Sequence, residues 1–370
     1  MDSTLPWFHS EEVKLANKDH GPRAIRIFDE KLLEELRKCV LDHWQITRLT
    51  SSTSTSNSTS NSTSNSTSKD DFFPAPQPVS LERRDLSKLI ENEYLVCAKS
   101  DGMRFLLVCY SGVSYMVDRA FKFYQVKLNF KPELYFNTSL TPTPVGGIFD
   151  GELVCNKQNK WQYVIHDCIN INGSDFSKYY FPVRQAEITR LIADLWISTD
   201  SEFRLTSKQF FNFKQLALLH KLINEDKLDH HTDGLIFTPK NRKIGIHTQY
   251  DLFKWKPRNL HTFDFKISCD QEGITAFVNK NGIHVPYAFA PVGSIEEQIF
   301  SKGLTENCPE FVNNSIVECD YDEEADTYKP IKTRLDKSHS NSETTVKKTL
   351  GNIKENIDIL ELVELSNPGP

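Results

Sequence analysis

The apolar positions of this chain fall mostly into short runs broken by turn residues, with a few stretches of helical spacing between them. Tyr94-Leu95-Val96-Cys97 and Phe105-Leu106-Leu107-Val108-Cys109-Tyr110 are aromatic and branched and flank a turn at Asp101-Gly102, so both read as strands. A hairpin at Ser111-Gly112 leads to a third strand over residues 113–119. Residues 146–155 and 163–173 read as partner strands, and residues 231–237 and 251–257 as further ones. Helical spacing predicts helices over 28–41, where Leu32 or Leu33 shares a face with Leu36 and Val40, and over 81–90, 184–196 and 214–223. From about residue 262, short strands with turns at Asn281-Gly282 and Pro291 predict a small β-barrel. Ser294-Ile295-Glu296-Glu297 predicts a capping box opening a short helix, and one helix over 344–365 closes the chain.

Two stretches depart from this rhythm. Residues 51–68 are almost only Ser, Thr and Asn, with Asn-Ser-Thr-Ser repeated from Asn57, Asn61 and Asn65. Nothing there can bury apolar area against the entropy of ordering, so a disordered, passive surface loop is expected. Residues 72–80 are Pro-rich and extended.

Composition narrows the picture. At 370 residues the chain has room for two domains, and 38% hydrophobic with 25% charged residues fits a soluble globular protein. No apolar run reaches membrane-spanning length, and the first residues carry charges without an apolar core, so neither a leader nor a membrane span is expected. Eight cysteines without a C-x-x-C pair predict free thiols in a reducing compartment and no zinc site. The net charge of −6 argues against a long duplex footprint; an RNA-handling protein of this charge holds a short end or gathers its cations in one cleft.

The candidate chemistry centres on Lys99. It sits among apolar neighbours at the end of a strand, with Asp101 and Arg104 close by, and Gly102 is expected to take a positive φ and approach a ligand. Glu152 and Asp233 are acidic strand positions beside glycines. Lys254 and Lys256 alternate, so both point to one face while Trp255 points to the other. Arg104, Arg119, Arg334 and Lys337 add cations. Phosphoryl or nucleotidyl transfer needs this inventory: cations for phosphate oxygens and carboxylates for a divalent metal. A free lysine has a pKa near ~10.4, so its neutral form costs on the order of 5 kcal/mol at pH 7. A cation-lined cleft lowers that cost.

Six segments in order, K-S-D-G-M-R, D-G-E-L-V, Y-V-I-H-D-C-I-N-I-N-G, T-D-G-L-I-F, F-K-W-K-P and R-L-D-K-x-x-x-N, resemble the motifs of the covalent nucleotidyltransferases. F-K-W-K-P, the following Asp264-Phe265 and R-L-D-K resemble those of mRNA capping guanylyltransferases; the extended N-terminus and the lack of an H-C-x-x-x-x-x-R phosphatase loop resemble the single-function fungal form. The resemblance covers roughly residues 75–365. It implies an α+β fold: a nucleotidyltransferase domain of antiparallel sheets and helices, followed by an OB-fold β-barrel. The corresponding division is an N-terminal extension over 1–50, the low-complexity loop over 51–75, the nucleotidyltransferase domain over 76–260, the OB-fold over 261–345, and a C-terminal helix and tail over 346–370.

The resemblance also implies roles. Lys99 would carry GMP as a phosphoramidate, and Asp101 of the same motif would be among the residues that bind GTP. Arg104, Arg119 and Glu152 would hold the ribose of GTP, and Glu152 with Asp233 would place Mg²⁺ or Mn²⁺. Lys254 and Lys256 would bind the α-phosphate, and Lys208 would read guanine O6. Arg334, Asp336 and Lys337 would orient the β and γ phosphates, assisted by Asp264. His166 stands where the family usually has an aromatic stacked on the purine. Ser340-Asn341 replaces the usual Pro-Asn of the last motif, and Tyr328 a common Trp. The implied partners are 5′-diphosphate RNA, an RNA triphosphatase subunit and the C-terminal tail of RNA polymerase II, with no membrane, in the nucleus. An ATP-dependent polynucleotide ligase and a catalytically inactive RNA- or polymerase-binding adaptor of the same fold are the rival readings.

Overall fold

A computed structural model describes residues 11–17, 20–44, 73–136, 143–335 and 337–367. The tract over 51–68, for which disorder is expected, lies outside the described residues, as does Asp336. The chain divides into two compact units: residues 1–79, 87–254 and 366–370 form one, and residues 80–86 and 255–365 the other.

The first unit holds a nine-stranded sheet. Its order is Glu11–Lys14, Arg23–Arg26, Phe123–Val126, Val113–Val117, Met103–Tyr110, Val145–Cys155, Trp161–Ile171 and Ser174–Asp175, with Arg204–Ser207 added parallel to Trp161–Ile171. Its central strands read as continuous apolar runs because both faces are covered. Phe105, Leu107 and Cys109 pack with Ile188 and Leu191 of the helix Phe181–Asp194. Leu106 and Val108 pack with Leu33, Leu36 and Val40 of the helix Glu30–His43. Asp29 caps that helix, accepting from the Leu32 amide at 2.8 Å, so it begins two residues later than its apolar spacing alone suggests. Burying each such leucine stabilises by about 1.5–3 kcal/mol.

A five-stranded sheet in the same unit runs Phe211–Asn212, Tyr94–Ser100, Thr232–Pro239, Thr248–Trp255 and Gln77–Ser80. No helix among the described residues is long and apolar enough to cross a membrane. All eight cysteines are free.

The second unit is built on a five-stranded antiparallel sheet in the order Ile283–Pro291, Gly273–Lys280, Phe263–Cys269, Ile316–Asp322 and Thr327–Thr333. Closure into a barrel is not part of that ladder. Its core gathers Phe263, Phe265, Ile267, Val278, Phe300, Val317, Val346 and Ile353, with Tyr328 edge-on to Phe265 at 4.7 Å. Ser294 caps the helix Ile295–Asn307 by accepting from the Glu297 amide at 3.0 Å. The reciprocal half of the predicted box is absent, because the Glu297 carboxylate accepts from the Gly293 amide and the Ser301 hydroxyl instead. The single closing helix is in fact two, Glu343–Glu355 and Ile359–Ser366. Asn356, in the left-handed region at φ 44°, ends the first.

Candidate active site

Lys99 lies in the strand Tyr94–Ser100, one residue before its end. The partner strand pairs Thr232 with Ser100 and Leu235 with Ala98. Two residues, Asp233 and Gly234, therefore stand opposite the one residue Lys99. This is a β-bulge, which bends a strand and re-aims a side chain. Gly234 supplies its φ of 149°, a conformation that side chains disfavour. The result is a hydrogen bond of 2.6 Å from Lys99 Nζ to Asp233 Oδ1, with the two side chains 24% and 20% exposed.

Gly102 does not carry the expected positive φ. Its requirement is room: a Cβ there would meet Leu153 O at 2.6 Å and Val154 Cγ1 at 2.5 Å. The glycine lets the turn after the lysine strand press against the strand Val145–Cys155, which carries Glu152. Asp101 is exposed in this turn, and its amide donates to His231 O at 3.0 Å.

Glu152 feels Lys208, Lys99, His166 and Asp233. Burial pushes its carboxyl up, and the cations do not fully offset that, so it stays above the usual glutamate range. Lys208 bridges the two sheets of this unit: its amide donates to Ile165 O at 2.8 Å and its ammonium to Ser100 Oγ. Cys97, two residues before Lys99, is no rival nucleophile, because burial pushes its thiol up to about 11.

Arg104 stands opposite Glu152 in register but commits its guanidinium elsewhere. It grips Asp150 with two hydrogen bonds, Nε to Oδ1 at 2.9 Å and Nη2 to Oδ2 at 2.5 Å, and donates to Pro76 O at 2.9 Å. Arg119 is exposed and reaches the Gln77 amide oxygen at 3.3 Å. The Pro-rich segment thus lines the arginines, with Phe73 under the Arg104 guanidinium at 5.4 Å. His166 is the extra residue of a second bulge, between the pairs Ile165–Gly151 and Asp167–Asp150. Its Nε2 lies 3.2 Å from Asp150 Oδ1. Burial pushes the Asp150 carboxyl up, but Arg104 and His166 more than offset this and hold it well below the usual range.

Lys254 lies on the strand Thr248–Trp255 in the first unit, whereas Lys256 falls in the second. Trp255 between them is buried and donates its indole N–H to Ile357 O at 2.9 Å. Within the second unit Asp264 is buried and gathers the later cations. It accepts from Arg334 at 3.1 Å and from Lys337. Asn341 fixes it by exchanging bonds with its backbone, at 3.0 and 2.7 Å. Arg334 also meets Glu318 at 3.1 Å.

Sequence reasoning passed over Asp150, although it lies two residues before Glu152 and so faces the same way on a strand. It also passed over Ser100, although that residue lies inside K-S-D-G-M-R, and Gln77, His230 and Asp229, which no short motif marks.

Two family models match in tandem: the mRNA capping enzyme catalytic domain over residues 44–258 and the mRNA capping enzyme C-terminal domain over residues 260–363. The chain belongs to the mRNA capping enzyme family. The mRNA-capping enzyme subunit alpha of Schizosaccharomyces pombe is 28% identical, covering 80% of each chain. That of Saccharomyces cerevisiae is 27% identical over 79% of this chain and 78% of its own. A solved mycobacterial DNA ligase D complexed with ATP and MES covers 73% of this chain and 97% of its own, at 11% identity and a TM-score of 0.38. Family membership makes this chain a nucleotidyltransferase, a guanylyltransferase of mRNA capping, with a mixed α/β catalytic unit and a C-terminal antiparallel sheet unit.

Proposed function

We propose that Lys99 is the residue through which this guanylyltransferase works. GMP passes from GTP to the lysine and then to the diphosphate 5′ end of an RNA. In the first step the Lys99 amine, having shed its proton, attacks the α-phosphorus; an N–P bond forms and the P–O bond to pyrophosphate breaks. In the second step the RNA 5′-diphosphate oxygen attacks the same phosphorus and the amine leaves. The observation that carries this reading is the bulge that sets the Lys99 ammonium 2.6 Å from Asp233, beside Glu152 and Lys208. We assign Lys254 and Lys256 to the α-phosphate, Arg334, Asp336 and Lys337 with Asp264 to the β and γ phosphates, and His166 and Lys208 to the base. Arg119 and Glu152 are assigned to the ribose. Arg104 serves it by fixing Asp150.

Glu152 and Asp233 would hold a divalent cation, Mg²⁺ or Mn²⁺. Among the described residues no group of three or more His, Cys, Asp or Glu side chains gathers as a metal site. Two carboxylates fit an ion of this kind, which keeps waters and takes phosphate oxygens from its nucleotide. When bound, it supplies charge neutralisation at the phosphates. The RNA end must arrive as a diphosphate, so an RNA triphosphatase subunit precedes this enzyme; RNA polymerase II through its C-terminal tail, and the nucleus, are the proposed setting.

Offering α-labelled GTP and ATP separately, with Mg²⁺ or Mn²⁺, tests the reading. GTP labels the protein through an acid-labile bond, ATP does not, and Lys99→Ala removes the label. Labelling by ATP instead would favour a ligase, and no adduct with either nucleotide an adaptor.

A further inference from the structure

Behind Lys208 runs a chain of side chains that the reaction above does not use. Ser100, 1% exposed, accepts from the Lys208 ammonium and lies 2.9 Å from His230 Nε2. His230 Nδ1 lies 2.5 Å from Asp229 Oδ1, and the other carboxylate oxygen of Asp229 accepts from Gln162 Nε2 at 3.0 Å. The partners dictate where the protons go. A carboxylate only accepts, so Nδ1 carries the ring proton and Nε2 is left as the acceptor. Ser100 therefore donates its hydroxyl proton to Nε2 and turns its lone pairs to Lys208. Every bond points one way, from Lys208 through Ser100 and His230 to Asp229. Burial and the nearby Lys208 both lower the His230 pKa, consistent with the neutral ring this chain requires.

The backbone around the relay is tied on both sides. His230 bridges to Asn156, the Lys157 amide donates to Asp229 O at 2.8 Å, and the Asp101 amide donates to His231 O at 3.0 Å. A lysine has three donors on a flexible stem, so its direction is set by whatever holds one of them. Here the holder is a buried hydroxyl that His230 in turn orients.

We propose that His230, backed by Asp229, is the positioning residue that aims Lys208 and so sets the preference for a 6-oxo purine. The proposal rests on the assignment of Lys208 to the base. His230 touches neither nucleotide nor reacting atoms in this scheme; it acts through Ser100. Losing the aim costs discrimination at one atom of the base and leaves the chemistry at the α-phosphate in place.

The test compares single-turnover lysyl-nucleotide formation with GTP and with 2-aminopurine riboside triphosphate, which lacks O6 and, with it, the N1 proton. His230→Ala and Asp229→Ala should each lower the efficiency with GTP about tenfold, as for a hydrogen bond to a charged group, and leave the analogue within about twofold. Asp229→Asn, whose amide oxygen still accepts from Nδ1–H, should keep the wild-type ratio. Asp229 is 60% exposed, so its variants report even if His230→Ala folds poorly. Equal losses with both nucleotides would mean a merely structural role and overturn the proposal. A ratio unchanged in His230→Ala and Asp229→Ala but collapsed in Lys208→Ala would overturn it while leaving base reading by Lys208 intact. A ratio unchanged in Lys208→Ala would remove the base assignment, and the proposal with it.

Discussion

At the scale of single residues, the catalytic unit spends charge on holding charge. Asp150 is almost fully buried, and two partners keep it ionised there: Arg104 through two hydrogen bonds and His166 at 3.2 Å. A carboxylate whose folded pKa is depressed binds fewer protons folded than unfolded. Its contribution is complete above the unfolded aspartate value of ~3.9 and is lost as pH falls toward its folded value. Chemical denaturation at several pH values below ~4 should show stability rising with pH more steeply in the wild type than in Asp150→Asn. Asp150→Ala should cost about 3–5 kcal/mol at neutral pH, because it leaves the Arg104 guanidinium buried without its counter-charge. Equal slopes for wild type and Asp150→Asn would show that this carboxylate does not titrate as its surroundings require.

At the scale of elements, irregularities in the strands place the chemistry. Two bulges, at Asp233-Gly234 and at His166, turn the side chains that a regular ladder would have sent elsewhere. Gly234→Ala tests the first. At φ 149° an alanine is strained by on the order of 1–3 kcal/mol, and relaxing that strain moves Asp233 off Lys99. The expected outcome is a loss of adduct formation of about tenfold or more, since one misplaced group can cost that much. Adduct formation at the wild-type rate would show that the bulge is not what positions the pair. Gly102 shows how a correct residue can carry a different reason. The motif glycine was legible, but its cause is a neighbouring carbonyl oxygen and not its own dihedral, and no local pattern reveals what lies across a sheet. The closing helix is two and not one for a similar reason: the amphipathic spacing continues through Asn356, and only the backbone reverses there.

At the scale of the whole molecule, the second unit is not a continuous C-terminal block. Residues 80–86 belong to it, although the first unit continues on both sides of them. Leu81 is 2% exposed, and its carbonyl oxygen accepts from Asn352 at 3.0 Å. Arg83 meets Glu361 with two hydrogen bonds, at 2.7 and 3.0 Å. Leu81→Ala should therefore cost about 2–5 kcal/mol in the second unit. Amide exchange should quicken over residues 343–355 and stay slow over residues 103–110. Faster exchange over residues 103–110 instead would assign Leu81 to the first core. A linear division of the sequence cannot express this arrangement, since a seven-residue excursion carries too little pattern to mark a change of core.

The sequence by itself determined which residues are chemically capable, because their types and order are local facts: Lys99, Glu152, Asp233 and the cations behind the last two motifs. It also determined most of the elements, since period-two and helical spacing are written residue by residue. Only the tertiary structure decided who partners whom. Asp150 on Arg104, and the relay from Lys208 to Asp229, depend on strand register and on a bulge that shifts it, and register is a property of two segments far apart in the chain. A single extra residue in one strand changes every pairing beyond it, and the energy that favours that shift comes from buried groups the strand itself does not contain.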